Sequence, residues 1–478
     1  MSEQILLQGK ILGIEEFLLS PSSESELRSR AGEELLSGRA QWITLLSEVL
    51  PRALLAELGL ARVLLGSSGG AQFLVVLPEE ARPAANEFLT AAARDIDRLS
   101  DGHLQLLWGS TENLGDWSVV RRRLNDELDR WLGAPLAGAG ADAFRPYSPA
   151  PPSDTEGYFS RQLGMKIREA TQVGWSPEHP ARILPGEGKH TWRLTPNVST
   201  DGITVARHAA PGDDAGSAAT VGTLARRAQG RHVWGVLRGD VDNFGVRLRR
   251  LHNIEEHVPL SVLYKQFFAG ELEVLCSLPE FWRKVTILYS GGDDFAVYGA
   301  WDALLAAARE MQRLFHRFTE ENLKDFPGAE GKTITMALAL APTRDASLAE
   351  VYEQAGRNLA IAKAADKDCI YVLGRVLEWK QLSDAAELKE AVSRMAGEHR
   401  ARHQMIGELR GLYGKTQLDR VWRFHRRLHF IVGAGRDREF QKLRTHLIGE
   451  GAGRRTTQVK LRPSGLVALQ WAELLTEV

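Results

Sequence analysis

The stretch "ILYSGGDDFAVYG" (residues 287–299) predicts two short strands joined by a tight turn, because apolar residues flank a Gly-Gly pair on both sides. Two adjacent aspartates, Asp293 and Asp294, follow the glycines directly. Neighbouring like charges repel each other and contribute nothing to folding. A bound cation would offset this repulsion, so we searched the chain for further acidic residues that could converge on the same turn.

The hairpin belongs to an internal duplication. The segment "VLLGSSGGAQFLVVLP" (63–78) has the same plan as "VTILYSGGDDFAVYGA" (285–300): apolar strand, Ser-Gly-Gly turn, two residues, Phe, apolar strand. A matched strand precedes each hairpin, "ILLQGKILGIEEFL" (5–18) in the first copy and "GVLRGDVDNFGVRL" (235–248) in the second. A stretch with helical periodicity separates strand from hairpin in both copies, so the sequence predicts strand, helix, hairpin twice over.

The second copy continues with an amphipathic helix (301–323), a buried strand (332–341), a helix (347–365) and a short strand (369–374). This order predicts a split βαβ, ferredoxin-like palm. We therefore expect an α+β protein with two palm domains, a helical linker region and a C-terminal helical bundle. The expected domains are a degenerate first palm (1–108), a helical linker (109–230), a second palm with Gly-Gly-Asp-Asp (231–377) and a basic helical domain (378–478).

Composition limits the class of protein. The 478 residues carry a formal net charge of -1 and are 44% hydrophobic and 25% charged, as in ordinary globular proteins. Two isolated cysteines exclude a disulfide scaffold and a cysteine-rich zinc site. The chain shows no signal peptide and no long apolar run, which predicts a cytoplasmic protein without membrane contact. From Ala401 onward basic residues outnumber acidic ones, which fits either an RNA-facing or partner-facing surface or a solvated helical bundle.

The carboxylates are predicted to converge. In a split βαβ sheet the first strand lies beside the third, so Asp240 and Asp242 come close to Asp293 and Asp294. Such a cluster suits Mg²⁺ or Mn²⁺, and two such ions can clamp the attacking and leaving oxygens of a phosphoryl displacement. A Gly-Gly-Asp turn alone is usually only a turn, and "GDVDNFG" alone is a strand ending in an Asx turn. Together they predict metal-dependent nucleotidyl transfer.

Individual residues in both copies refine the predicted positions of metal and nucleotide binding. The first copy has Lys10 in place of Asp240, and Ala71 and Gln72 in place of the two turn aspartates, so it is expected to hold no second metal site. A nucleotide bound across the interface of the palms remains an open alternative for it. Lys363, on the helix before the last strand, is either a triphosphate contact or a solvated lysine. Ser290 either donates to a base or phosphate or caps the turn.

On these residues the chain resembles the large subunit of type III CRISPR effector complexes, the CRISPR polymerase-like palm proteins. The matches are "GDVDNFG" (239–245), "YSGGDDFAVYG" (289–299) and "NLAIAKAADKDCIYVLG" (358–374). The third is also similar to the diguanylate cyclase (GGDEF) family. The resemblance covers both palms, the region between them and the C-terminal region, and it implies nucleotidyl cyclase-like palm folds.

The resemblance also implies an activity. Members of the family make cyclic oligoadenylates from ATP when the guide RNA of the complex pairs with target RNA. Asp240, Asp293 and Asp294 are then the catalytic and metal-binding residues, with two Mg²⁺ or Mn²⁺ ions as cofactors and ATP as substrate. The implied nucleotide-binding residues are Ser290, Gly291, Gly292, Asn243, Phe244 and Lys363. The 3′-hydroxyl of one ATP attacks the α-phosphate of the next, and the degenerate palm seats the acceptor.

The implied partners are the other effector subunits (backbone, guide-RNA-end-capping and small helical subunits), guide RNA and target RNA. The chain departs from many relatives because it begins in the first palm, contains no His-Asp dipeptide and lacks a zinc-binding cysteine cluster. We therefore expect a compact form without the HD nuclease domain and without DNase activity. Two alternatives remain at this stage: a catalytically silent structural large subunit, and a stand-alone diguanylate-cyclase-like nucleotidyl cyclase.

Overall fold

The structure is a computed structural model that describes residues 4–19, 30–133, 157–195, 202–214, 216–398, 402–411 and 462–476. Within these ranges no helix combines the length and the apolar character needed to cross a membrane.

The first palm is a four-stranded antiparallel sheet with strand order β2-β3-β1-β4. Its elements in chain order are β1 (Gln4–Leu12), α1 (Ile14–Leu19), α2 (Arg30–Glu57), β2 (Leu65–Gly69), β3 (Gln72–Pro78), α3 (Arg82–Leu99) and β4 (Gln105–Glu112). The predicted strand, helix, hairpin order is confirmed, and β4 extends past the predicted boundary at residue 108.

The region between the palms is more varied than the predicted helical linker. The expected helix is present as α4 (Trp117–Gly133), and a π-helical segment (Tyr158–Lys166) follows. The prediction missed a small four-stranded sheet of order β6-β5-β7-β8. Its strands are β5 (Gln172–Trp175), β6 (Leu184–Pro185), β7 (His190–Thr195) and β8 (Gly202–Thr204), and helix α5 (Val221–Arg226) comes after them. These strands of two to six residues are too short to leave a periodic pattern in the sequence.

The second palm repeats the first and extends it. Its elements are β9 (Trp234–Val241), α6 (Phe244–Arg249), α7 (Ile254–Gln266), α8 (Leu272–Ser277), β10 (Val285–Ser290), β11 (Asp294–Ala300), α9 (Trp301–Asn322), β12 (Ile334–Leu340), α10 (Leu348–Ala365), β13 (Cys369–Val372) and β14 (Arg375–Glu378). The strand order is β10-β11-β9-β12-β13-β14, so its first four positions match the first palm. Two elements were not predicted: the strand β14, and the helix α6, which lies in the segment 235–248 that was expected to be the strand before the hairpin.

The duplication holds at the level of strand register. Lys10 of β1 lies opposite Gln72 of β3, and Asp240 of β9 lies opposite Asp294 of β11. The hairpins also share a register shift, between Leu65 and Ser67 in the first palm and between Ile287 and Tyr289 in the second. The alignment of the two copies by sequence is therefore also their alignment in space.

In both palms a glycine lies opposite a phenylalanine, which explains why the two copies share these two residues. A Cβ atom on Gly9 would lie 2.2 Å from the ring of Phe73, and one on Gly239 would lie 2.3 Å from the ring of Phe295. The ring of the hairpin strand thus covers the bare backbone of the neighbouring strand. In each copy this pair precedes the position that holds Lys10 or Asp240.

The described part of the C-terminal region is helical, with α11 (Trp379–Glu398), α12 (Arg402–Gly411) and α13 (Pro463–Thr476). Buried side chains of all three helices, such as Leu382, Ile406 and Leu469, join the core beside the second palm. The basic segments at 420–430 and 453–463 fall almost entirely outside the described residues, so the two interpretations of this region stay predictions.

Candidate active site between the two palms

The glycine-aspartate turn closes on itself by backbone hydrogen bonds. The Gly291 amide donates to the Asp294 carbonyl at 2.7 Å, and the Val241 amide donates to the Asp293 carbonyl at 2.9 Å. The second bond ties the end of β9 to the turn. It gives a physical basis for the predicted convergence, since Asp240 and the two turn aspartates are fixed to adjacent backbone segments.

Asp240 and Asp294 face each other across β9 and β11. The Tyr289 hydroxyl donates to Asp294 Oδ2 at 3.2 Å. Burial, followed by the negative charge of Asp240, raises the pKa of Asp294 to about 6. Burial also raises the pKa of Asp240, although the nearby ammonium of Lys363 opposes the shift.

Asp293 is the most perturbed of the three carboxyls. Burial raises its pKa to about 8, and repulsion from Asp294 and then Asp240 adds to the shift. A buried group of like charges has its ionised form disfavoured by both effects. In the absence of a bound cation, the buried turn therefore favours the protonated form of Asp293.

Lys363 does reach the site, but it contacts a carboxylate. Its ammonium donates to Asp240 Oδ1, lies 3.4 Å from the Val241 carbonyl oxygen and lies 4.0 Å from Asp242 Oδ1. Asp242, which the sequence grouped with the other aspartates, is buried, and its carboxylate is bound by other residues. It accepts hydrogen bonds from three donors: the hydroxyls of Thr333 and Thr335, and the Asp368 amide.

The Ser-Gly-Gly residues fit a close backbone approach. Ser290 is 7% exposed, and its buried hydroxyl has no hydrogen-bond partner in the described protein. A Cβ atom on Gly291 would lie 2.0 Å from Asp294 Oδ1, so only glycine leaves that carboxylate in place. Gly292 meets nothing closer than 3.9 Å, where the amide nitrogen of Gly70 from the other palm lies.

A cavity of about 300 Å³ opens beside these residues and has walls from both palms. On the second palm, the guanidinium of Arg238 stacks 4.4 Å from the ring centre of Tyr352. Arg238 also donates to Glu15 of the first palm at 3.1 Å. Sequence reasoning missed this wall, although Arg238 stands two residues before Asp240 and hence on the same face of the strand.

The two remaining predicted nucleotide-binding residues lie at the start of α6. Asn243 has a left-handed backbone (φ 57°), and its side-chain oxygen accepts from Lys367 at 2.6 Å. Phe244 packs against the ring of Tyr264, with 4.7 Å between ring centres, and lines a second cavity of about 90 Å³ that also touches Gly292 and Asp293. Neither residue lines the larger cavity, and their role in nucleotide binding stays a prediction.

The donor set fits a hard divalent cation in its chemistry. Asp293, Asp294 and Asp240 supply carboxylate oxygens, which Mg²⁺ and Mn²⁺ prefer, and burial is the main cause that raises the pKa values of all three. Across the residues that the structure describes, however, no three His, Cys, Asp or Glu side chains are gathered into a ready-made metal site. Of the three carboxylates, that of Asp240 already forms an ion pair, because Lys363 contacts it.

Comparison with known proteins agrees with this reading of the second palm. Residues 233–371 match the family described as Cas10/Cmr2, second palm domain. A Cas10/Csm1 protein of subtype III-A from Mycobacterium tuberculosis, named as a single-strand-specific deoxyribonuclease, is 31% identical over 121 residues, or 21% of this chain and 15% of that protein. Its namesake from Enterococcus italicus is 26% identical over 157 residues, or 31% of this chain and 19% of that protein. The matches thus span less than a quarter of either relative.

Solved structures extend the similarity to the whole fold. A chain of a Csm1–Csm4 cassette in complex with cA4 superposes with a TM-score of 0.73 at 18% identity, covering 99% of this chain and 70% of that one. A chain of the apo cassette gives a TM-score of 0.70 at 17% identity, with the same coverage. The predicted α+β architecture of two palms is confirmed.

Proposed function

We propose that this chain, whose residues 233–371 are a second palm domain of the Cas10/Cmr2 type, is the catalytic large subunit of a type III CRISPR effector complex in the cytoplasm. It joins ATP molecules through 3′-oxygen to α-phosphorus bonds and closes the product into cyclic oligoadenylates when target RNA is bound. The observation that carries the proposal is the register pairing of Asp240 with Asp294 at the Gly-Gly turn, where the first palm has Lys10 and Gln72.

The three carboxylates of Asp240, Asp293 and Asp294 are the residues that would hold the divalent ions. When bound, these ions lower the pKa of the attacking hydroxyl and neutralise charge on the phosphates. The protein's own part is to fix the carboxylates: the Gly291 amide closes the turn, the Val241 amide anchors the Asp293 backbone, and the Tyr289 hydroxyl orients Asp294. In each transfer a bond forms between the 3′-oxygen and the α-phosphorus, and the bond to pyrophosphate breaks.

The nucleotide is held by the remaining residues of the larger cavity. The bare backbone at Gly291 and Gly292 lets phosphates approach, and the unpartnered Ser290 hydroxyl offers a hydrogen bond to the base or a phosphate. Lys363, which donates to Asp240, is the cationic side chain that would contact the triphosphate.

One observation favours a second candidate, a catalytically silent large subunit. The ammonium of Lys363 already neutralises Asp240, and an ion pair of this kind stabilises a palm that never binds metal. The stand-alone diguanylate cyclase alternative has no comparable support, because the tandem palm matches the Csm1–Csm4 cassette over nearly the whole chain. The two alternatives differ in their products: the silent subunit makes none from ATP or GTP, and the diguanylate cyclase makes cyclic diguanylate from GTP.

The partners belong to the proposal as well. The matched solved chains come from Csm1–Csm4 cassettes, which supports a Csm4-type neighbour. The backbone and small helical subunits, guide RNA and target RNA are further partners in the proposal. The matched curated relatives are named as deoxyribonucleases, and the alignments cover only 15% and 19% of their length. The expectation that this chain lacks DNase activity stays a prediction, and incubation of the complex with single-stranded DNA tests it.

The decisive experiment is mass spectrometry of nucleotide products. The chain, reconstituted with its neighbouring subunits and guide RNA, is incubated with ATP or GTP and Mg²⁺ or Mn²⁺, with and without matching target RNA. We expect cyclic oligoadenylates from ATP only when target RNA is present, and none from the Asp293→Ala/Asp294→Ala variant. No product from the complete complex with target bound would establish the silent subunit, and cyclic diguanylate from GTP would establish the third alternative.

A further inference from the structure

The turns of the two hairpins touch each other. A Cβ atom on Gly70 would lie 3.5 Å from the amide nitrogen of Gly292 and 3.9 Å from Asp293 Oδ1. Gly69 and Gly70 have positive φ angles of 120° and 58°, which bring the bare backbone of the first-palm turn against the second. The turn without carboxylates therefore lies directly on the turn that carries them.

A buried cluster of charged side chains lies beneath this contact. Glu48 of α2 accepts hydrogen bonds through its Oε2 atom from Arg52 at 2.8 Å, from the Ser68 hydroxyl at 2.9 Å and from Lys265 at 2.5 Å. The ammonium of Lys265 also lies 3.2 Å from the Ser68 hydroxyl. Lys265 is on α7 of the second palm and the other three are on the first, so the cluster crosses the interface. Gly69 lies above it, with a Cβ position 3.4 Å from Glu48 Oε1.

The charged side chains of this cluster are largely buried. Glu48 and Arg52 expose 2% and 6% of their side chains, and Lys265 exposes 15%. Burying such charges gains little stability over packed apolar residues, whereas their directional hydrogen bonds favour one arrangement over others. One carboxylate, that of Glu48, faces two basic side chains beside the acidic turn. Such an arrangement is better suited to fixing the relative position of the two palms than to stabilising their association.

We propose that the Glu48–Lys265 pair, bridged by Ser68, is a positioning device that sets the first-palm turn against the Gly292–Asp293 turn. It explains why the first palm keeps Ser-Gly-Gly after losing its carboxylates: Ser68 completes the cluster, and the glycines allow the backbones to touch. Lys265 and Glu48 are positioning residues, since neither lines the larger cavity.

The consequence for catalysis rests on the proposed function. Joining two nucleotides requires the acceptor oxygen and the donor phosphorus to be held within about 3–3.5 Å, and a misplacement of about 1 Å costs roughly 100-fold in rate. If one nucleotide is held mainly by each palm, the relative position of the palms sets this distance. Loss of the pair then affects the bond-forming step more than the binding of either ATP.

The test compares Lys265→Met with Lys265→Arg and with a matched control, Lys284→Met. Lys284 pairs with Asp302 at 2.8 Å inside the second palm, with side-chain exposures of 23% and 12%, so its loss removes a similar ion pair away from the palm contact. Ser68→Ala is a milder second variant, because it leaves Glu48 paired with both cations. Each variant is measured in the reconstituted complex by amide hydrogen exchange and by ATP turnover.

We expect amides of both turns, within 63–78 and 287–299, to exchange at least tenfold faster in Lys265→Met and to be unaffected in Lys284→Met. We further expect kcat to fall at least tenfold while the KM for ATP stays within threefold, with Lys265→Arg restoring most of the loss. Ser68→Ala should shift both readouts in the same direction by less. If Lys265→Met does not fold, Ser68→Ala alone decides.

Equal exchange in Lys265→Met and Lys284→Met would overturn the positioning role, and so would faster exchange with unchanged kcat. A complex that makes no oligoadenylate with the unaltered chain would contradict the proposed function instead. In that case the exchange measurement still decides whether the pair sets the contact of the turns, because it does not depend on activity.

Discussion

Asp240 and Asp242 stand two residues apart on one strand end, yet their surroundings give them different tasks. Asp242 is 1% exposed and accepts hydrogen bonds from Thr333, Thr335 and the Asp368 amide. Asp240 pairs in register with Asp294, and its side chain accepts a hydrogen bond from Lys363. Sequence spacing placed both near the turn but could not separate them, because the partners of Asp242 come from segments about a hundred residues away.

This difference predicts opposite effects of removing each carboxylate. Asp242→Ala leaves two hydroxyls and one amide without their acceptor in a buried place, so we expect the free energy of unfolding to fall by about 2–4 kcal/mol. Asp240→Ala should change it by less than about 1 kcal/mol, because burial already disfavours the charged form, but should abolish oligoadenylate synthesis. Urea denaturation and product analysis check the pair, and equal destabilisation by both substitutions would contradict the assignment.

Gly291 and Gly292 offer a second comparison at the residue scale. Because a Cβ atom on Gly291 would lie 2.0 Å from Asp294 Oδ1, Gly291→Ala must turn that carboxylate away from Tyr289. We expect a loss of at least tenfold in product formation with only about 1 kcal/mol of lost stability, since a side-chain end can move. For Gly292→Ala, whose nearest neighbour is 3.9 Å away, urea denaturation should show a change below about 0.5 kcal/mol. A Gly291→Ala variant with full activity would show that the position of Asp294 is not essential.

At the scale of elements, the duplication was the most predictable part of the fold. The Ser-Gly-Gly hairpins, the preceding strands and the Gly-to-Phe pairs all leave letters in the sequence, and the two sheets have the same strand order in their matched positions. The small sheet of β5 to β8 and the last strand β14 could not be predicted in this way. Their short strands are fixed by tertiary contacts, such as the Trp42 indole that donates to the Ala181 carbonyl at 2.8 Å, and such contacts have no local signature.

The start of α2 carries a carboxyl whose titration should affect stability. Glu33 accepts a hydrogen bond from the Val221 amide at 3.0 Å, and burial raises its pKa to about 7, with Glu34 adding to the shift and Arg30 and Arg168 opposing it. Between pH 4.5 and 7 the folded protein keeps this proton while the unfolded chain loses it. The stabilisation is therefore complete below pH 4.5 and is lost as the pH rises through 7.

Glu33→Gln keeps the hydrogen bond to Val221 through its amide oxygen and removes the titration. We expect its free energy of unfolding, relative to the unaltered chain, to improve by about 1–3 kcal/mol between pH 5 and pH 8. Urea denaturation at the two pH values measures this difference. A constant difference at both values would mean that Glu33 titrates in the folded protein as it does in the unfolded chain.

At the scale of the whole molecule, the palms are not independent units, because each of the two hydrophobic cores among the described residues contains side chains from both. One core joins Leu6 and Leu74 of the first sheet to the helices of the second palm. The other joins Leu46 of α2 to Leu288 and Ala296 of the second sheet. This exchange of core residues follows from the duplication, but the sequence shows only that each face is apolar and not which partner covers it.

A shared core predicts that the two palms unfold together. Leu288 is fully buried, and its carbonyl oxygen accepts a hydrogen bond from Gln41 Nε2 of the first palm at 3.1 Å. Leu288→Ala removes apolar contacts on both sides of the interface. We therefore expect the free energy of unfolding to fall by about 2–4 kcal/mol and both sheets to be destabilised. Amides of β1 and β4 that exchange only through global unfolding should then exchange at least tenfold faster, as should those of β9 and β12. Native-state hydrogen exchange measures all four strands in one sample.

If exchange rises in β9 and β12 alone, the palms open separately. The contact between their turns is then an association of two domains rather than part of one folded core.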